Sequence, residues 1–164
     1  MLPADDADRP HLLKGDQAAG GLRCALVVSS FNEAVTGRLL ERALTTLREQ
    51  GADPGQLTVV RVPGAVELPL TAKRLALTGR FEAIICLGAI IRGDTSHYEL
   101  VCDMAARGIS QASLETGVPV IFGVVTTETV EQALERARPG ALDRGRAAAL
   151  AAIEMATLFR RLKA

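Results

Sequence analysis

From Cys24 onward, short apolar runs alternate with stretches whose apolar positions recur every three or four residues. Cys24-Ala-Leu-Val-Val-Ser29 is a continuous apolar run, the pattern of a strand covered on both faces. The next stretch carries Val35, Leu39, Leu40, Ala43 and Leu47 on one helical stripe. Ser30 and Glu33 stand at capping-box spacing to open that helix, and Gly51 is placed to end it. A second strand is predicted over residues 57–62, stopped by Pro63-Gly64. A helix follows over about 67–77, with Pro69 tolerable only in its first turn. Residues 83–91 form the strongest strand signal. Beyond the polar loop 92–96, a helix runs to about Glu115 and Gly117 closes it. The fourth strand is expected over 118–125, with Pro119 near its start, where a missing N–H does least harm. Thr129 and Gln132 make another capping box for a short helix to about Ala137. After Pro139-Gly140, a last helix covers roughly 143–162, with Ala147, Ala151, Met155, Leu158 and Leu162 on one face.

Strands that alternate with helices and are apolar throughout imply an α/β domain with a mostly parallel four-stranded sheet, spanning 22–164. Residues 1–21 mix charge, Pro and Gly without period and read as a flexible N-terminal arm. Ligands of such sheets bind beyond the C-terminal strand ends, so the loops 29–32, 62–67, 91–97 and 126–129 are where a site belongs.

Composition narrows the chemistry. Nineteen basic and nineteen acidic residues leave no net charge, and aromatics make up only 3% without a Trp. Nucleic-acid binding is therefore not expected. Cys24, Cys86 and Cys102 are widely spaced and read as reduced residues of a cytoplasmic protein. Two histidines, His11 and His97, supply no metal cluster. No signal peptide or membrane-length apolar run is evident, and neither G-x-G-x-x-G nor a P-loop motif occurs.

The loops carry what chemistry there is. Phe31 is either core or, among Ser29, Ser30 and Asn32, an exposed surface for stacking a flat heterocycle. Val62-Pro-Gly-Ala-Val-Glu67 is either a plain strand-to-helix turn or one whose backbone groups meet a ring edge. Arg92-Gly-Asp-Thr-Ser-His97 enters a helix, where N–H groups attract anions and a His is suited to proton transfer. The bland alternative is a capped helix start with a solvated His. Arg136, Arg138, Arg144 and Arg146 surround one Pro-Gly break, either as helix-end charges or as a phosphate clamp. The residues alone reach a phosphate-handling site with one His and one stacking Phe.

Taken together, six segments resemble the lumazine synthase family in order and spacing. They are Ser30-Phe-Asn32, Val62-Pro-Gly-Ala-Val-Glu-Leu-Pro69, Gly88-Ala-Ile-Ile-Arg-Gly-Asp-Thr-Ser-His97, Pro119-Val-Ile-Phe-Gly-Val-Val-Thr-Thr127, Glu131-Gln-Ala-Leu-Glu-Arg136 and Ala151-Ala-Ile-Glu-Met-Ala156. The likeness covers roughly 22–162 and implies a flavodoxin-like three-layer sandwich. It implies that Phe31 stacks on a pyrimidine, that Ala65, Val66, Glu67, Ala89, Ile90 and Ile91 bind the ring and its ribityl chain, and that Asp94 and Thr95 receive a sugar phosphate. His97 then transfers protons, and Phe122 and Arg136 reach the site from a neighbouring subunit. Val66 stands where many members carry Phe, and Arg144 replaces a frequent Lys.

The family joins 5-amino-6-ribitylaminouracil to 3,4-dihydroxy-2-butanone 4-phosphate, giving 6,7-dimethyl-8-ribityllumazine for riboflavin biosynthesis. The amine attacks the ketone to form an imine, phosphate is eliminated, and the ring closes with loss of water. These steps call for no metal or cofactor. The resemblance also implies a homopentamer, closed by some members into a 60-subunit icosahedral shell, and riboflavin synthase as a partner, with no membrane association. Two alternatives stay open at this level: a flavin- or pterin-binding module without turnover, and a protein that serves mainly as a container.

Overall fold

The computed structural model describes residues 9–163, so the first eight residues of the expected arm lie outside the described residues. The strands are β1 (Cys24–Ser29), β2 (Leu57–Val62), β3 (Ala83–Ile91) and β4 (Val120–Thr127). The helices are α1 (Glu33–Glu49), α2 (Leu68–Ala76), α3 (His97–Thr116), α4 (Val130–Arg136) and α5 (Arg144–Lys163). The sheet runs β2-β1-β3-β4 with every pair parallel, as expected for the flavodoxin-like class.

Helices cover both faces because both faces of β1 and β3 are apolar. Leu26, Val28, Ile85 and Leu87 pack with α1 and α5 residues such as Leu39 and Ile153. Val27, Ile84 and Cys86 point the other way, toward Leu68 and Ala72 of α2 and Ile109 of α3. This alternation makes three layers with two cores. Burial pushes the Cys24 and Cys86 thiols up to about 12, so both behave as apolar core residues.

Two expectations are corrected. Ser30 does not cap α1: the preceding residue is Asn32, whose backbone is left-handed at φ 60° and whose side chain makes no cap. The fourth strand begins at Val120, after Pro119, and extends to Thr127. The stripe of Ala147, Ala151, Met155, Leu158 and Leu162 shares one face of α5, and the buried face lies beside it. The buried face comprises Gly145, Ala148, Ala149, Ala152, Ile153, Ala156 and Thr157. Its small residues let α5 lie directly on α1, since a Cβ at Gly145 would come within 2.5 Å of the Leu39 carbonyl oxygen.

The second half of the expected arm is seated on the domain. The Asp16 N–H donates to Thr157 Oγ1 at 2.9 Å, and the Ala19 N–H donates to the Gln50 carbonyl at 2.9 Å. Arg160 and Arg161 hold the Gly21 carbonyl and the Asp16 carboxylate, and Ala19 and Leu22 are fully buried. Gly15 is the residue that permits this approach, because a Cβ there would lie 1.9 Å from the Glu154 carbonyl oxygen.

Candidate functional site

The strand order reverses direction between β1 and β3, since β1 is followed outward by β2 on one side and by β3 and β4 on the other. The loops leaving β1 and β3 therefore diverge and open a crevice at the C-terminal edge of the sheet. A cavity of about 400 Å³ lies there.

The loop after β1 is stitched on both sides. The Ser30 and Phe31 N–H groups donate to the Val62 and Pro63 carbonyls at 2.8 and 3.0 Å, extending the pairing with β2. On the other side the Asn32 side-chain amide donates to the Ala89 carbonyl of β3 at 2.9 Å. Held in this way, Phe31 stands 73% exposed at the mouth of the cavity rather than in a core. An exposed ring rooted in a fixed backbone loses little freedom when it stacks on a flat ligand.

Residues Gly64 to Glu67 supply a second side. The turn tightens through the Glu67 N–H, which donates to the Gly64 carbonyl at 3.2 Å, and a Cβ at Gly64 would approach the Glu67 carboxylate to 3.1 Å. Ala89, Ile90 and Ile91 line the cavity from the end of β3, and Gly93, Thr95 and His97 from the loop beyond it. His97 is the first residue of α3 and is exposed; its N–H donates to Thr95 Oγ1 at 3.3 Å.

Nine of the expected site residues thus share one cavity: Phe31, Ala65, Val66, Glu67, Ala89, Ile90, Ile91, Thr95 and His97. Asp94 lies in the same loop, exposed, without lining the cavity. Phe122 and Arg136 are elsewhere. They line a second cavity of about 390 Å³ beside β4, with Arg144 at its α5 side. Phe122 is 45% exposed there, and Arg136 donates to the Gln132 carbonyl within its own helix. Arg138 pairs loosely with Glu135 and Arg146 with Glu49, so the four arginines do not converge on one point.

Asn32, Gly64, Gly93, Tyr98 and Val101 also line the main cavity and were not singled out from the sequence. Two of them follow from helical spacing: Val101 lies four residues after His97 and three after Tyr98, on the same face of α3. Burial pushes the Tyr98 phenol up. Its ring lies 4.4 Å beneath the Arg92 guanidinium, which also pairs with Glu99 and, at 2.7 Å, with Glu128. The Arg92 hydrogen bond holds the Glu99 carboxyl below its ordinary value. Among the described residues no group of His, Cys, Asp and Glu is arranged to hold a metal ion.

This geometry offers an apolar slot with a stacking ring at its mouth, a few polar groups at its rim and one imidazole at a helix start. Comparison with known proteins gives it a context. The sequence model of a family described as 6,7-dimethyl-8-ribityllumazine synthase matches residues 21–160. A 6,7-dimethyl-8-ribityllumazine synthase of Salinibacter ruber is 53% identical over 154 residues, covering 94% of this chain and 99% of the relative. Another, of Syntrophus aciditrophicus, is 50% identical over 153 residues, covering 93% and 99%.

Proposed function

The chain belongs to the 6,7-dimethyl-8-ribityllumazine synthase family, and on that premise we propose which residues carry the reaction and how they are brought together. The chain is an enzyme of riboflavin biosynthesis. It condenses 5-amino-6-ribitylaminouracil with 3,4-dihydroxy-2-butanone 4-phosphate to 6,7-dimethyl-8-ribityllumazine, releasing phosphate and water.

In this reading the pyrimidine stacks on Phe31, and its edge and ribityl chain meet the Ala65–Glu67 turn and the Ala89–Ile91 strand end. The sugar phosphate takes its place beside Asp94 and Thr95. His97 removes and returns protons as the amine adds to the ketone, phosphate leaves and the ring closes. Holding two reactants in register is worth about 7–11 kcal/mol. Proton transfer by His97 adds roughly 100- to 10,000-fold.

One observation carries the proposal about assembly. The residues expected at one site fall into two cavities that share no lining residue, with His97 in one and Phe122 and Arg136 in the other. A single chain offers each half once. A contact that sets the β4 side of one copy against the His97 cavity of the next completes the site, and repetition of that head-to-tail contact closes a ring. The ring is the homopentamer of the family resemblance, which some members extend to a 60-subunit shell. No helix among the described residues is long and apolar enough to cross a membrane. The free thiols of Cys24, Cys86 and Cys102 support a cytoplasmic setting, and the family resemblance implies riboflavin synthase as a partner.

Subunit mixing tests this reading. His97→Ala and Arg136→Ala proteins are each expected to be impaired in lumazine formation. Unfolded together and reassembled in equal amounts, they are expected to regain activity, because about a quarter of the head-to-tail junctions then combine an intact His97 with an intact Arg136. Failure to regain activity in fully reassembled mixtures would mean that each chain uses its own arginine or none.

A further inference from the structure

Arg92 leaves β3 beside the cavity but does not line it, although Gly93, Thr95 and His97 do. Its backbone N–H extends the pairing with β4 by donating to the Thr127 carbonyl at 2.9 Å. Its guanidinium reaches three partners at once. Nε meets the Glu128 carboxylate just beyond β4 at 2.7 Å, the other end of the fork meets Glu99 in the first turn of α3, and the planar group stacks 4.4 Å over the ring of Tyr98. The Ser96 side chain makes no cap at the start of α3, where Thr95 Oγ1 accepts the His97 N–H in a long 3.3 Å contact. Beyond that one long contact, the position of the first turn depends on what grips residues 98 and 99, which directly follow His97.

Resting on the reading of His97 as the proton-transfer group, we propose that Arg92 is a positioning residue that fixes where the His97 imidazole stands over the cavity. Each exposed ion pair alone is weak. A single guanidinium, however, ties the end of β4 to two consecutive residues of α3, so a turn of the helix start that carries His97 away must break both contacts together. Lysine cannot substitute fully, because an ammonium lacks the planar fork and the stacking face.

The chain contains one tyrosine and no tryptophan, so its tyrosine emission reports Tyr98, the ring under Arg92. The experiment compares the assembled parent, Arg92→Met, Arg92→Lys, His97→Ala and the Arg92→Met/His97→Ala double variant. Arg92→Met is expected to lower kcat about tenfold, within the roughly hundredfold that a 1 Å misplacement costs. KM for both substrates stays within about twofold, and the Tyr98 signal changes while far-ultraviolet dichroism does not. Arg92→Lys restores part of kcat. In the His97→Ala background, removing Arg92 is expected to change kcat by less than about twofold, because the group it positions is gone.

Should the two losses multiply, or should KM rise in place of the fall in kcat, Arg92 does not act through His97 and the inference fails. If Arg92→Met does not assemble, Glu99→Gln and Glu128→Gln remove the anchors one at a time and must each lower kcat in the same His97-dependent way. A His97→Ala enzyme as active as the parent would sink the underlying site reading, and the inference with it, a result distinct from multiplying losses.

Discussion

The side-chain amide of Asn32 donates to the Ala89 carbonyl across 2.9 Å, bridging the loop after β1 to β3 where the strand order reverses. Asn32 also adopts the left-handed backbone, the sole positive φ at a non-glycine position among the described residues. Both features have one consequence: α1 starts at Glu33, two residues later than a Ser30 cap would place it, and Phe31 is turned outward at the cavity mouth.

Replacing Asn32 separates the two features. Asn32→Gly keeps the backbone conformation and loses the bond, for an expected cost of about 1 kcal/mol. Asn32→Ala adds the left-handed penalty of about 1–2 kcal/mol for a residue with a Cβ. Chemical denaturation should rank them parent, Gly, Ala, and both should raise KM for the pyrimidine. Equal stabilities for the two variants would show that the backbone conformation is not what Asn32 is there to hold.

Phe31 is exposed, so its loss should affect binding and not folding. Phe31→Ala is expected to unfold within about 0.5 kcal/mol of the parent. Losing a stacking interaction of about 1.5 kcal/mol would raise KM for the pyrimidine roughly tenfold. A large drop in thermal stability with KM unchanged would instead make Phe31 a packing residue.

Arg42 and Asp143 join α1 to the start of α5 through a 2.7 Å contact, with the Asp143 side chain only 2% exposed. Asp143 also accepts the Arg146 N–H at 2.9 Å. Asp143→Ala leaves the Arg42 guanidinium without its carboxylate in a largely enclosed place, and is expected to cost about 3–5 kcal/mol. A double variant with Arg42→Met should recover part of that loss in denaturant titrations. No recovery would mean that the helix cap, rather than the ion pair, is what Asp143 contributes.

Glu82 links stability to pH. Burial would raise its carboxyl, but hydrogen bonds and charge from Arg23, with Arg160 farther off, outweigh burial and hold it below the ordinary value of 4.5. A carboxyl lowered on folding contributes stability above its unfolded value and loses it as pH falls through the folded one. The parent should therefore lose stability in acid more steeply below about pH 4.5 than Glu82→Gln does. At neutral pH the variant should be the less stable of the two. Parallel stability curves from pH 7 to pH 3 would show that Glu82 is not held low.

Much of this protein is written locally. β1 and β3 are covered on both faces, and only continuous apolar runs satisfy that, so their limits at Cys24, Ser29, Ala83 and Ile91 are visible in the sequence. The Thr129–Gln132 capping box and the left-handed Gly117 are likewise decisions made within a few residues. Because parallel strands place their ligands at one edge, the loops containing Phe31, Glu67 and His97 are identifiable from the sequence alone.

The rest depended on partners distant in the chain. An alanine-rich α5 carries two stripes of equal period, and only the close approach of Leu39 to Gly145 selects the one that is buried. Gly15 and Asp16 resemble a loose arm until Glu154 and Thr157, some 140 residues later, provide the surface that holds them. Asn32 looked like part of a polar turn because its partner, Ala89, lies on another strand. The division of His97 from Phe122 and Arg136 between two cavities is implied by the family resemblance, but no spacing along the chain carries it. Spacing along a chain records which residues share an element; which elements touch, and which faces they leave open, is set by packing in three dimensions.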